Sequence, residues 1–167
     1  HAHFFAGNFD QANQILMKAV QANKTSGHIA AYLNACHHLA RISVLRGRLH
    51  EAKAIYLQAI EFVETQKQEF YVGIEKIGLG ELYLEWNELE TASSYISQGM
   101  ELAELGGDIH FLRDGYVAHT RLAQAQGDWN TALALVQKAE QVARRSPTSM
   151  DIAYMQAWRA RLHLAQG

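Results

Sequence analysis

Proline is nearly missing from this chain: Pro147 is the only one in 167 residues. Proline breaks helix interiors, so its scarcity, with abundant Ala, Leu, Gln and Glu, predicts an all-helical chain. Cysteine is equally rare. Cys36, standing alone, excludes an intrachain disulfide framework and a Cys-based zinc site, and it suits a reducing cytoplasm. No apolar run approaches the roughly 20 residues that span a bilayer, and His1–Asp10 lacks a signal-peptide layout, so no membrane partner is expected. Charge of either sign is not in excess. Fifteen Lys plus Arg against seventeen Asp plus Glu leave −2, which offers no general attraction for nucleic acid. With 49% apolar and 19% charged residues, the composition is that of a globular protein rather than a disordered one. The chain does not begin with Met and opens inside a helical pattern. We therefore expect residues 1–167 to be a single helical-repeat domain cut from a longer chain.

What is present in abundance is internal repetition. The segments Gly7-Asn8-Phe9-Asp10-Gln11-Ala12, Gly47-Arg48-Leu49-His50-Glu51-Ala52, Asn87-Glu88-Leu89-Glu90-Thr91-Ala92 and Gly127-Asp128-Trp129-Asn130-Thr131-Ala132 recur every forty residues. Upstream of these turns, Ile42, Leu82, Leu122 and Leu162 keep the same register, as do Ala40, Gly80, Thr120 and Ala160. Downstream stand Leu16, Tyr56, Ile96 and Val136, then Ala19, Ala59, Gly99 and Ala139. A fixed period of this length marks a repeat architecture.

Each period reads as two helices. A Gly or Asn suits the left-handed residue that ends a helix, and nearby Asp, Asn or Thr oxygens can cap the next. Apolar residues then follow helical spacing, as in Leu49, Ala52, Ile55, Tyr56, Ala59, Ile60 and Val63. First helices are expected at 28–46, 68–86, 108–126 and 149–166, and second helices at 9–25, 49–65, 89–105 and 129–145. Ser146-Pro147-Thr148 reads as a turn. Ala40 and Ala52, Gly80 and Ala92, Thr120 and Ala132 are small residues twelve apart, which lets paired helices cross closely. Phe9, Leu49, Leu89 and Trp129 then plug the space beside the turn. A lone pair cannot bury its apolar face, so pairs stack. The expected fold is all-α: an α-solenoid of antiparallel helix pairs, a right-handed superhelix with first helices on the concave side.

Small-x11-Ala across a Gly-Asp/Asn-aromatic turn resembles the tetratricopeptide pattern, with a period of forty where that family ordinarily has 34. The wording Gly80-Glu81-Leu82-Tyr83-Leu84-Glu85-Trp86-Asn87-Glu88-Leu89-Glu90-Thr91-Ala92 is similar to the regulatory region of large LuxR-type transcription activators of the MalT kind. Gln98-Gly99-Met100-Glu101-Leu102-Ala103 and the Arg121–Trp129 turn carry the same likeness, which covers essentially the whole chain. The resemblance implies a cytoplasmic, bacterial, non-enzymatic module. It would bind a small-molecule effector or a protein and report to nucleotide- and DNA-binding domains on the same polypeptide. The fragment itself contains no Gly-x-x-x-x-Gly-Lys-Ser/Thr phosphate loop and no basic recognition segment, so it is expected to make no direct nucleic-acid contact. A stand-alone tetratricopeptide-like adaptor that holds a peptide in its groove is the alternative.

The polar residues supply no sign of chemistry. Nine histidines raise the question of metal, yet no His-Glu-x-x-His occurs, and adjacent His37 and His38 diverge on a helix. Cys36-His37-His38 is no nucleophile–base pair either, because neighbouring helical side chains do not face one another. The acidic pairs Glu61/Glu64 and Glu101/Glu104 read as solvated faces. No cofactor, metal or catalytic residue is expected.

Binding is expected in the groove instead. Carrying the tetratricopeptide groove positions onto the small-residue column implies the rows Asn34, Ile74, Asp114 and Tyr154; His37, Ile77, Val117 and Ala157; and Arg41, Glu81, Arg121 and Arg161. The outer rows are Val44, Leu84, Gln124 and Leu164, and Leu45, Glu85, Ala125 and Ala165. The Arg-Glu-Arg-Arg row serves equally as ligand contact or as an inter-repeat ladder with Glu81 between arginines. It does not match the Asn- and Lys-rich clamp of chaperone-tail binders. Charge is segregated: residues 67–114 carry three basic and ten acidic side chains, between a segment of net +2 and one of net +3. That distribution could guide a partner, or reflect the preference of Glu for exposed helix faces. Trp129 is expected in the core, and Trp158 over a surface another repeat would bury. Gly73, Gly78 and Gly80 allow either close helix packing or a ligand near the backbone. Self-association through apolar cut ends is a further expectation.

Overall fold

A residue with left-handed backbone recurs every twenty positions: Gly27, Gly47, Lys67, Asn87, Gly107 and Gly127 have φ of 74, 71, 55, 59, 66 and 77°. Behind several of them the same pair of hydrogen bonds closes the helix. Gly47 and Arg48 donate their backbone N–H groups to the Val44 and Ser43 carbonyls, at 2.9 and 2.8 Å, and Gly127 and Asp128 do so to Gln124 and Ala123, at 3.0 and 2.9 Å. These two hydrogen bonds satisfy carbonyls that a helix end leaves over. At Asn87 a short amide side chain tolerates the left-handed region, and its backbone N–H reaches the Leu84 carbonyl at 3.0 Å.

The computed structural model describes residues 8–145 and 149–166. The turn at Gly7, the connection at 146–148 and Gly167 lie outside the described residues. The helices are α1 (Phe9–Ser26), α2 (Ile29–Leu45), α3 (Leu49–Thr65), α4 (Gly73–Glu85), α5 (Leu89–Gly106), α6 (Ile109–Ala125), α7 (Trp129–Ala143) and α8 (Ser149–Gln166), with a 3-10 turn at Glu69–Val72. Among the described residues there is no strand. Helix pairs of the tetratricopeptide type make this an all-α chain of the α-solenoid class.

Two expected boundaries move, each for a local reason. The helix expected over 68–86 becomes a 3-10 turn followed by α4 from Gly73. Lys67 must take the left-handed position there, and Gln68 (φ −125°) makes no side-chain cap bond. By contrast Asp108 accepts from the His110 and Phe111 N–H groups at 2.9 and 3.2 Å, so α6 starts cleanly at Ile109. The second helix expected to run to 145 ends at Ala143, and Arg145 donates to the Val142 carbonyl at 3.0 Å in a tight last turn.

The chain forms two compact units, His1–Glu75 and Lys76–Gly167. In the first, α1 packs on α2, α2 on α3, and the 3-10 turn on both α2 and α3. Ala40 and Ala52 have no accessible surface, so the backbones of α2 and α3 close on each other at the expected crossing. Ile42, Tyr56, Ile60 and Val63 are buried beside them, and each of the three aliphatic ones contributes about 1.5–3 kcal/mol. Buried Ser43 is satisfied by donating to the Leu39 carbonyl (3.3 Å) or to Glu51 Oε1 (3.1 Å).

In the second unit α5 packs on α6, α6 on α7 and α7 on α8. Ala92, Thr120 and Ala132 are fully buried, and the Thr120 hydroxyl donates to the Tyr116 carbonyl at 2.8 Å. Gly80 is a packing glycine. A Cβ there would collide with Ile96 Cγ1 and lie 3.1 Å from both the Ala92 carbonyl oxygen and the Ile96 nitrogen. Gly115 likewise makes room for the Met100 thioether. Trp129 packs on Ala123, Ala132, Val136 and Leu162, and Trp158 bridges that cluster to Val117, Ala139, Ala143 and Met155.

Candidate functional site

The first helices of the second unit carry a charged strip. Glu81 and Glu85 are one turn apart on α4, so both project from one face. Arg121, on α6, reaches both: its Nη1 donates to Glu81 Oε1 at 2.8 Å and its Nη2 donates to Glu85 Oε1. Glu81 and Arg121 are forty residues apart, and Glu85 is thirty-six away. The register that stacks the repeats therefore also brings these charges together. Burial of the guanidinium opposes its charge, but the Glu81 and Glu85 carboxylates outweigh that penalty and hold its pKa above the ordinary value. The strip is a charge-assisted clamp of one cation on two anions.

The other expected site residues fall into four groups. Ile74, Ile77 and Val117 are only 1–3% exposed; they are packed, so a ligand could touch them only by displacing neighbours. Asp114 is turned to its own neighbour, accepting from Arg113 Nε at 2.8 Å and Nη2 at 2.6 Å. Asn34 and Arg41 are exposed on α2, and Tyr154 and Arg161 are exposed on α8. Arg161 holds its guanidinium 5.1 Å from the centre of the Trp158 ring, a cation–π contact within the second unit. His37 is half-buried, its ring 5.6 Å from that of His38 and 6.0 Å from that of Tyr56. Burial, then Arg41 and His38, pushes its pKa down to about 3.

Cys36 sits among these residues without the means to react. It is buried and hydrogen-bonded to Tyr32, and burial pushes its thiol up to about 11. Burial also raises Tyr32 and lowers His38. Thiol and imidazoles are all neutral near pH 7, so no thiolate–imidazolium pair forms. Among the described residues no group of three His, Cys, Asp or Glu is placed to hold a metal ion, and no helix is long and apolar enough to cross a membrane.

The sequence reading places one acidic residue incompletely and passes over another. Glu85 stood only in an outer groove row, although its i,i+4 spacing from Glu81 was the available signal. Glu75 was not singled out at all. It shares a repeat column with Ala35, Gly115 and Met155, every one of them buried, and that column placed a carboxyl in the interior.

A family model described as the MalT-like TPR region matches residues 1–167. The chain belongs to the MalT-like TPR region family. Among solved structures, it resembles BtubC (BKLC) from P. vanneervenii, at 20% identity and a TM-score of 0.64, covering 87% of this chain and 60% of that one. The chain thus spans about 60% of the length of that protein. It also resembles two structures of nearly identical TPR-like repeats from Podosopora anserina, described as a kinesin light chain candidate, at 16% and 17% identity and TM-scores of 0.60 and 0.59. These cover 99% of this chain and 82% of the other. Such identities establish the fold that this MalT-like region shares with them. No curated protein matches the chain. As a MalT-like TPR region it is a helical-repeat protein-interaction module.

Proposed function

We propose that this MalT-like TPR region is the non-enzymatic, effector-responsive section of a cytoplasmic bacterial transcription activator of the LuxR type. On this reading it forms one helical-repeat domain of a longer polypeptide that also carries nucleotide- and DNA-binding domains. The observation that carries the reading is the family match across all 167 residues. The Glu81–Arg121–Glu85 clamp supports a mechanism. It joins two successive first helices, α4 and α6, through a polar contact that a ligand can compete for. An effector bearing an anion would take Arg121 from its carboxylates, and one bearing a cation would take the carboxylates. Either event changes what holds α4 to α6, and a repeat array converts such a local change into altered stacking.

The test has two parts. The complete polypeptide should contain a phosphate loop on the N-terminal side and a helix-turn-helix on the C-terminal side; absence of both removes the activator assignment. Thermal melts against a panel of sugars, nucleotides, amino acids and short peptides should reveal a ligand that raises the Tm. Calorimetry should then show about ten- to hundredfold weaker binding to the Arg121→Gln variant. A peptide adaptor is the second reading, favoured by exposed Tyr154 and Leu164 flanking Arg161 on α8. Only peptides in the panel raising the Tm would select it.

A further inference from the structure

The last residue of the first unit is a buried acid. Glu75 lies in the first turn of α4, has no accessible surface, and neither carboxyl oxygen has a hydrogen-bond partner on another residue. Leaving an ionised carboxylate in such a place is far more costly than leaving a neutral acid. The groups around it supply no compensating charge. From α2, Tyr32 and Cys36 face it electrostatically, and both are neutral near pH 7. Lys24 of α1 is felt at Cys36, with its ammonium 5.0 Å from the Phe62 ring. His37 and His38 are held neutral, and Tyr56 of α3 lies beside His37. On its own helix the next residue, Lys76, donates to Gln98 at 2.9 Å.

We propose that Glu75 is a proton-controlled latch: as the neutral acid it keeps the adjoining Glu69–Val72 turn docked on α2 and α3, and loss of its proton releases that turn.

Burial raises the Glu75 pKa to about 8 in the closed form, whereas an opened, solvated carboxyl returns to the ordinary range near 4.5. A proton held more tightly in the closed state makes closure favourable below the open-state value, and that advantage is lost as pH rises towards the closed-state value. Between those limits the opening equilibrium should grow about tenfold per pH unit, and above pH 8 it should level off. Local opening of this kind exposes what the segment covers.

Cys36 reports the event, being the single cysteine of the chain, 3% exposed and facing Glu75. The rate at which an aromatic disulfide reagent labels Cys36 should be followed from pH 6 to 8 in the 167-residue chain. Thiolate formation in the open state alone gives a tenfold rise per pH unit. In the wild type the latch adds a second factor of ten, so labelling should rise about a hundredfold per unit. In Glu75→Gln, which keeps the shape and cannot ionise, it should rise only tenfold. Equal slopes in the two proteins would overturn the proposal. Should Glu75→Gln fail to fold, the wild type decides by itself: a tenfold slope from pH 6 to 7 sinks the latch, and a slope near a hundredfold there, flattening as pH passes 8 and both groups ionise, upholds it.

Discussion

Replacing Arg121 with alanine should destabilise the fold by about 1–2 kcal/mol, through three contributions. Arg121 makes two ion pairs whose carboxylates are 40% and 45% exposed, and pairs that wet are worth roughly 0.2–1 kcal/mol each. Without the guanidinium, Glu81 and Glu85 remain as like charges one turn apart, adding a few tenths of a kcal/mol. The arginine stem also covers apolar surface, since the side chain is 28% exposed. Arg121→Met keeps most of the stem and discards the charge, so the difference between the two variants isolates packing. Urea unfolding of wild type, both variants, Glu81→Gln and the Arg121→Met/Glu81→Gln double variant should be measured at about 0.05 and 1 M NaCl. Screening shortens to ~3 Å at the higher salt, so the cost of Arg121→Met should shrink by half or more. The cycle should return a coupling of about 0.5–1 kcal/mol at low salt. A cost of Arg121→Met below about 0.3 kcal/mol, or one indifferent to salt, would refute the clamp as a real interaction.

Other outcomes follow from the same geometry. Lys67→Gly should raise stability by roughly 1 kcal/mol, about 2–4 °C in Tm, because a side chain in the left-handed region costs about 1–2 kcal/mol and glycine returns part of that as chain entropy. Gly127→Ala should lower it by a similar amount through backbone alone, since a Cβ there would meet nothing within 4 Å. Gly80→Ala should cost about 1–3 kcal/mol and exceed Gly115→Ala, because it meets backbone and a β-branched side chain rather than a flexible Met tip; denaturant midpoints will rank them. The stability difference between wild type and Glu75→Gln should move against the wild type as pH rises from about 4.5 towards 8, by up to ~1.4 kcal/mol per unit, then stay level. Unfolding series at pH 5, 6.5 and 8 read it.

Small and apolar positions were legible because the repeat leaves them one environment. Ala40, Ala52, Thr120 and Ala132 could be assigned to helix crossings from spacing alone, and all four are buried there. Gly80 remained open between packing and ligand, since absence of a side chain says nothing about what approaches; Ile96 and Ala92 decide it. Lys67 was missed because residue type argues against a left-handed turn, and only the twenty-residue spacing from Gly47 and Asn87 reveals the position. A position rule borrowed from a period of 34 assigns faces without knowing how tightly neighbours close over them, and Ile77 and Val117 in the groove rows are buried.

The charged row shows why a repeat register alone cannot separate ligand contacts from architecture. Side chains one position past a buried column emerge from the first helices, and within the second unit Glu81 meets its counterpart forty residues on, Arg121. Opposite charges there pair without any ligand, as Glu81 and Arg121 do. A ligand anion arriving at Arg121 must then displace two carboxylates, each a charge-assisted contact. At Arg161 it competes with the Trp158 ring, a cation–π contact worth about 0.5–1 kcal/mol at an exposed site. The row is therefore chemically unequal although its members occupy equivalent positions: on the proposed reading, Arg121 would make the contact that switches and Arg161 the one that holds. An effector engaging both would anchor at α8 and be read at the α4–α6 clamp. Losing Arg161 should then weaken affinity alone, whereas losing Arg121 should also uncouple binding from the change in helix stacking.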